Sequence, residues 1–272
     1  MTTTTGTSSP TAPAVPGARP ALRPWASLAW LHTRYQFLET VRVPIAVIGN
    51  MLFPGLALLF FVVPQDAITS NPLASTAAIA QLGTFAVMSA CMFTHGVGVA
   101  EDRALPFDTF VRTLPARPGP RLAGRVLNGL LWAYLALVPP VLIGVFLTSA
   151  SLTVTQALGA VVMVALIAVP FTLLGMAIGY SMSTKAALAV VQCVLFPLAF
   201  AGGLFMPPEV FPGWLDAISQ ALPSRAARDL VVQVTTGVEG SALALPVLLA
   251  WTAVFAALAV AAVRRDEGRR FR

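Results

Sequence analysis

Six apolar runs alternate with polar connections along this chain, near 44–63, 77–99, 124–148, 157–181, 186–205 and 242–263. Each holds about the 20 helical residues that cross a hydrocarbon core of about 30 Å. Lipid offers no partner to a bare backbone N–H or C=O, so every run is expected to be an α-helix. Only the turn MSTKA separates the fourth run from the fifth.

Three connecting segments carry a pattern of their own. Residues 25–42, WASLAWLHTRYQFLETVR, are too polar to span. On a helix, His32, Gln36, Glu39 and Thr40 share one face, and Trp30, Leu31, Phe37, Leu38 and Val41 share the other. Arg34 projects from the apolar side, where it can snorkel to a lipid phosphate. The segment reads as a helix in the membrane interface, with Trp25, Trp30 and Tyr35 at headgroup depth. A plain anchor and a docking element both fit it.

The second segment, EDRALPFDTFVRTLPARPGPR, covers residues 101–121 and holds seven charged residues. Pro106 suits a first helical turn. Phe107, Phe110, Val111 and Leu114 follow at i, i+3, i+4 and i+7, and Pro115 stops the helix. Asp108, Thr109, Arg112 and Thr113 fall on the other side. A helix this short is unstable alone in water, so its apolar face needs a partner surface. That surface is the ends of its own spans or, as the stripe favours, a second protein.

The third segment, residues 206–241, reads as two short helices dipping into the opposite interface. Trp214, Leu215, Ile218 and Leu222 make one stripe, Pro223 ends it, and Leu230, Val231 and Val234 begin another.

Composition sharpens this picture. The chain is 57% hydrophobic and 10% charged, with a mean hydropathy of +0.81, whereas soluble domains carry about 25% charged residues. A pI near 10.3 suggests nucleic acid, but the basic residues form no single patch and nucleic-acid binding is not expected. With both termini in the cytosol, 15 of the 17 basic residues lie on the cytosolic side, all but Arg225 and Arg228. That is the bias expected of inner loops. Residues 1–24 lack an apolar core and read as a disordered tail; residues 264–272 read as a basic cytosolic tail. Cys91 and Cys193 are expected to be small buried hydrophobes, and His32 and His95 to make local hydrogen bonds. No metal site is expected.

The chemistry is narrow. A phosphate-binding loop requires G-x-x-x-x-G-K-[ST], and the single lysine, Lys185, lies between Thr184 and Ala186. The deep parts of the spans hold no Asp, Glu, Lys or Arg; their polar residues are Asn50, Gln81, Asn128 and Gln192. Coupling to an ion gradient usually needs ionisable groups there. Energy is therefore expected from a partner.

An apolar route is expected along Phe53, Phe60 and Phe61, then Phe85, Met88, Met92 and Phe93, then Phe196, Phe200 and Phe205, although such residues also pack on neighbours or face lipid. This route suits a lipophilic drug or lipid-like substrate better than a polyanionic sugar chain. Pro139–Pro140, Pro170 and Pro197 are candidate kinks. Gly175 and Gly179 form a close-packing motif, and Gly202–Gly203 is a candidate break. A lipid-modifying enzyme would have only His95, Glu101 and Asp102 close together in sequence for its chemistry. A scaffold or sensor is a third class.

The order of these features resembles the type-2 ABC transporter permeases, from Trp25 to Val263. The segments that carry the likeness are RYQFLETVRVPIAVIGNMLFPGLALLFF, GVAEDRALPFDTFVRTLPARPGPRLAGRVL and FPLAFAGGLFMPPEVFPGWLDAISQALPSRAARDL. The resemblance implies an all-α integral membrane protein of the bacterial plasma membrane. It would have six transmembrane helices, an N-terminal interfacial helix and cytosolic termini. Two permeases would pair, identical or not, and cytosolic ABC ATPase subunits would hold ATP and Mg²⁺, leaving no cofactor on this chain. By motif position, Glu101, Asp102, Phe107, Phe110, Arg112, Leu114 and Pro115 would contact the ATPase, and Arg34, Glu39 and Arg42 would form a second contact. Where the family often has glycine-threonine after the acidic start, this chain has Ala104, Leu105 and Pro106. The expected activity is export of hydrophobic drugs or other small amphiphiles; lipid or polysaccharide export is the alternative.

Overall fold

The computed structural model describes the backbone of residues 24–42, 44–105 and 118–269, with side chains for 24–42, 52–105 and 119–266. Among these residues every regular element is a helix. In order they are α1 (Trp25–Val41), α2 (Pro44–Phe61), α3 (Asp66–Thr69), α4 (Pro72–Met92), a π-helical turn (Phe93–Val97), α5 (Gly98–Ala104), α6 (Pro118–Ala136), α7 (Val138–Leu147), α8 (Val154–Ser181), α9 (Thr184–Ala201), a 3₁₀ turn (Pro208–Val210), α10 (Gly213–Ser219), α11 (Pro223–Thr236) and α12 (Ala244–Arg269).

Among the described residues, five stretches are long and apolar enough to cross a membrane: Pro72–Ala104, Gly119–Leu147, Val154–Ser181, Thr184–Ala201 and Ala244–Asp266. The first apolar run of the sequence corresponds to α2, whose described apolar part is Leu52–Phe61.

Local chemistry sets the helix ends. Asn71 caps α4, its side chain accepting from the backbone N–H of Leu73 and Ala74, with Pro72 in the first turn. The helix therefore begins five residues before the expected 77. Ser75 and Thr76 look like loop residues, but their hydroxyls donate back to Asn71 O and Pro72 O. Thr153 and Gln156 form a capping box on α8. Pro139 and Pro140 lack backbone donors, and the chain breaks between α6 and α7 at Leu137. Pro170 and Pro197 lie inside helices that continue past them. Helix α9 stops at Ala201, before the expected 205, and Gly203 takes a φ of +75° that a β-carbon would oppose.

The rod α4–π–α5 is the centre of the bundle. It packs against α2, α6, α8, α9 and α11, while α12 lies on α8. Phe85, Met88, Met92, Ile167, Phe171 and Leu195 are among its fully buried side chains. One end of the bundle carries α1, Ala104, the turn before α9 and the Asp266 end of α12. The opposite end carries α3, α10 and α11.

Helix α1 runs beside the first half of α6, in the same direction. Trp25 lies by Gly119, Ala29 and His32 by Gly124, and Phe37 stacks on Trp132 at 5.4 Å. The polar side of α1 faces protein: Thr33 is buried and donates to Gly124 O at 3.1 Å. Trp25, Trp30, Tyr35 and Leu38 are exposed, but Phe37, placed with them by the sequence pattern, is half-buried.

Burial, then the nearby Arg121 and Arg125 charges, hold the His32 imidazole below its ordinary 6.5. The unfolded chain therefore binds the proton more readily than the folded one, and stability falls as pH drops below that value. Thermal melts at pH 8 and pH 5.5 are expected to show this loss, and His32→Gln to reduce it.

Candidate functional site

A cavity of about 720 Å³ opens among α1, α2, α4, the π turn, α5, α6 and α9. One wall is aromatic. Phe53, Phe85 and Phe196 line it, with centroids 5.7 Å (Phe53–Phe85), 6.3 Å (Phe53–Phe196) and 6.5 Å (Phe85–Phe196) apart. The cluster continues beyond the cavity to Phe205, 4.7 Å from Phe85, and to Phe200, 4.8 Å from Phe205. Five of the ten expected path residues thus form one group of rings, and a sixth, Phe93, lines the cavity. Phe60, Phe61, Met88 and Met92 do not line it. Phe60 sits two turns past Phe53 and is exposed, as is Phe61. Met88 and Met92 each precede a lining residue, Ser89 and Phe93, so they are rotated by about 100° into the core.

The facing wall is polar. Arg125, Asn128 and Trp132 recur at i, i+3 and i+7 on α6, and Gln36 joins them from α1. Arg125, Asn128 and Trp132 are 4%, 5% and 2% exposed. Arg125 Nε, Asn128 Oδ1, Trp132 Nε1 and Gln36 Oε1 are buried with no hydrogen-bond partner among the described residues. The sequence marks Asn128 only as a polar residue within a span and carries no signal that Trp132 or Gln36 belongs to a cavity.

Glu39, Glu101 and Asp102 line the cavity at the α1 end. Asp102 Oδ2 accepts from Arg125 Nη2 at 2.7 Å, tying α5 to α6. Glu39 and Glu101 are exposed and make no ion pair among the described residues. Arg34 and Arg42, also exposed on α1, are not part of the lining. Phe107, Phe110, Arg112, Leu114 and Pro115 lie outside the described residues.

In the cavity wall, His95 is 1% exposed, with Nδ1 3.0 Å from Cys91 O and Nε2 2.8 Å from Arg125 O. Both ring nitrogens are thus engaged with backbone carbonyls, which weakens its candidacy as a base for lipid chemistry. The π turn that carries it fits only against glycines. A β-carbon on Gly129 would lie 2.3 Å from His95 Cε1, and one on Gly179 would lie 2.4 Å from His95 O and 2.8 Å from Gly96 O. The Gly175/Gly179 pair therefore does permit close packing, here against a backbone rather than a regular ridge. Because the obstacles at Gly179 include backbone atoms, no rotamer relieves them. Gly179→Val is expected to destabilise the fold by about 1–3 kcal/mol, read as a lower melting temperature of the purified chain.

A second tie stands at the same end. Arg103 donates through Nε to Asp266 Oδ1 at 3.1 Å, and through Nη1 to Gly179 O and Met182 O at 2.7 and 3.0 Å. It joins α5 to α8 and α12. Tyr180 lies beneath both guanidiniums, 6.0 Å from Arg103 and 5.8 Å from Arg125.

The opposite end carries two short helices, α10 and α11. Trp214 and Ile218 are exposed, whereas α11 is packed into the bundle with Arg228 and Asp229 buried. Arg228 donates to Asp229 Oδ1 at 2.9 Å and to Gln81 Oε1 at 3.2 Å, while Arg225 holds Asp229 at 2.8 Å and Asp216 at 3.0 Å. The basic pair that the charge bias left over is neutralised within this network.

Residues 27–236 match the family described as ABC-2 type transporter. The chain is 28% identical, over 286 aligned positions, to the daunorubicin resistance ABC transporter permease protein DrrB1 of Streptomyces coeruleorubidus, a match covering 98% of this chain and 99% of that one. It is 26% identical over 140 residues to YvfS of Bacillus subtilis (strain 168), which is named a transport permease. That match covers 52% of this chain and 57% of the relative.

Proposed function

The chain belongs to the ABC-2 type transporter family, and we propose that it is the membrane-spanning subunit of an ATP-driven exporter of small amphiphiles. It is a multi-pass permease, homologous to a drug-resistance permease. In this reading α2 completes a set of six spans, and both termini face the cytosol of a bacterial cell. Support for the orientation comes from the described basic residues. Arg34, Arg42, Arg103, Arg121, Arg125, Lys185, Arg264 and Arg265 belong to the α1 end, against Arg225 and Arg228 at the other.

One observation carries the proposal. The cavity that gathers the aromatic rings is bordered by Glu101 and Asp102, which lead straight into the connection expected to dock an ATPase. A push on that connection would reach α6 through Asp102–Arg125, and α8 and α12 through Arg103. The cavity lies between α6 and α9, so its walls would move with the pushed helices. ATP and Mg²⁺ would sit on the partner, because the sequence has no phosphate-binding loop. A second permease, identical or not, would complete the pathway. The cavity's size and its rings favour a small amphiphile over a polysaccharide.

Dye efflux from living cells tests this. Cells that make the chain together with the ATPase that co-purifies with it are expected to lose rhodamine 123 or Nile red faster than cells making either protein alone. Equal loss from all three, for both dyes, would count against export.

A further inference from the structure

We propose that a groove on the other side of α4 binds one acyl chain of a membrane phospholipid. Only the name of the leaflet that supplies the chain, the outer one, rests on the orientation proposed above.

The groove holds about 350 Å³ among α4, α7, α8, α11 and the connection from α7 to α8. Thr76, Ala80, Gly83 and Val87 recur at helical spacing as its α4 wall, about half a turn round from Phe85 in the ring-lined cavity. Its floor keeps some open surface: Thr76, Ala80, Val164, Val231 and Thr235 are 5–8% exposed. Val87 and Ile167 are fully buried and shut the deep end. The rise from Thr76 to Val87 is about 16 Å, against about 15 Å for half of a hydrocarbon core. The groove is therefore as deep as one leaflet.

Its mouth opens sideways. Val141, Val145 and Leu152 line it and are exposed, and α7 and α8 belong to stretches apolar enough to span. A helix of a second copy is about 10 Å across and would seat over this mouth, not inside it. A single hydrocarbon chain can enter.

The lining offers nothing to a polar occupant. Its hydroxyls all donate to carbonyls of their own helices: Thr76 to Pro72 O at 2.7 Å, Thr84 to Ala80 O at 2.8 Å and Thr235 to Val231 O at 2.8 Å. Water in such a space lacks the several partners it needs. Left empty, the walls would forfeit dispersion contacts on one side. A chain restores those contacts and asks for no hydrogen bond. Within a bilayer this packing, not the hydrophobic effect, decides what stays bound. Above the mouth, Ser149, Ser151 and Thr153 are exposed and uncharged, so the headgroup's charge is not read.

Photo-crosslinking of the full chain in phosphatidylcholine nanodiscs tests this, with a phosphatidylcholine that carries a diazirine on one acyl chain. Lipid that merely surrounds the protein labels the exposed Val254 and Leu258 of α12 in proportion to the probe present. Lipid in the groove is expected to label Ala80 on α4 and Val231 on α11 as well, and there the labelling should level off as probe is raised. A phosphatidylglycerol probe with the same chain should label both equally well. Ala160→Phe, which puts a ring into the groove from α8, should lose the Ala80 and Val231 adducts and keep those on α12.

The inference is overturned if Ala80 and Val231 stay unlabelled, as they would beneath a second copy, or if their labelling rises with probe as it does on α12. It is also overturned if the two headgroups differ, or if Nile red displaces the probe and so claims the groove for cargo. Should Ala160→Phe fail to fold, saturation and competition on the unaltered chain still decide. None of these outcomes bears on export itself, which the dye efflux above tests separately.

Discussion

Replacing Phe110 and Leu114 together by Asp is expected to abolish ATP-driven export while leaving a folded permease in the membrane. The sequence puts both residues on the apolar face of a short helix that cannot hold itself together in water. Burying each large apolar side chain against a partner contributes about 1.5–3 kcal/mol. Two such losses amount to about 3–6 kcal/mol, or roughly a hundredfold to ten-thousandfold in affinity. Two new carboxylates in the contact add a desolvation cost. The described core comes from other helices, so the variant's melting temperature should stay near that of the parent. Pull-down of the ATPase and dye efflux are the readouts, and both should fall to background. A variant that keeps its ATPase but loses transport would move the contact elsewhere.

The second large effect is expected at Arg125. Arg125→Met removes the partner of Asp102 while keeping much of the side-chain volume beside Tyr180. Breaking a buried pair from one side costs about 3–5 kcal/mol, because the remaining charge stays desolvated. Asp102 is one-third exposed here, so the lower end of that range applies. Adding Asp102→Asn should recover part of the loss, and a double-mutant cycle on thermal stability measures the coupling. Export should suffer more than stability does. The repaired double variant is expected to fold and to bind dye, yet to turn over slowly, because the ionic tie between α5 and α6 is gone.

How much of this was legible depends on what a run of letters can report. Hydropathy located the apolar helices, because lipid imposes the same demand on every residue of a span. Pro139–Pro140, Gly202–Gly203 and the Pro223 boundary were legible because they act on their own backbone. Which side of a helix faces inward was much less so. Ser89 and Phe93 line the cavity while Met88 and Met92, one residue earlier, are buried in the core. Adjacent letters point about 100° apart, and an all-apolar helix carries no stripe to fix its rotation.

The ion pairs were hidden for another reason. Asp102–Arg125 is separated by 23 residues and Arg103–Asp266 by 163, so each charge looks like a loop charge until the helix ends meet. The same is true of Arg228 with Gln81. The π turn had no sequence signature apart from the glycines opposite it. The polar stripe of Arg125, Asn128 and Trp132 was readable at helical spacing, but its meaning required knowing that Gln36 and the rings of α2 and α9 stand around it.

Proteoliposomes holding the full chain alone, its co-purifying ATPase alone, or both together test the division between pathway and motor most directly, with ATP-dependent uptake of rhodamine 123 as the signal. Uptake only when both proteins are present, lost with Phe110→Asp and Leu114→Asp, is the predicted result. Uptake by the chain alone, whether driven by ATP or by an ion gradient, would contradict it.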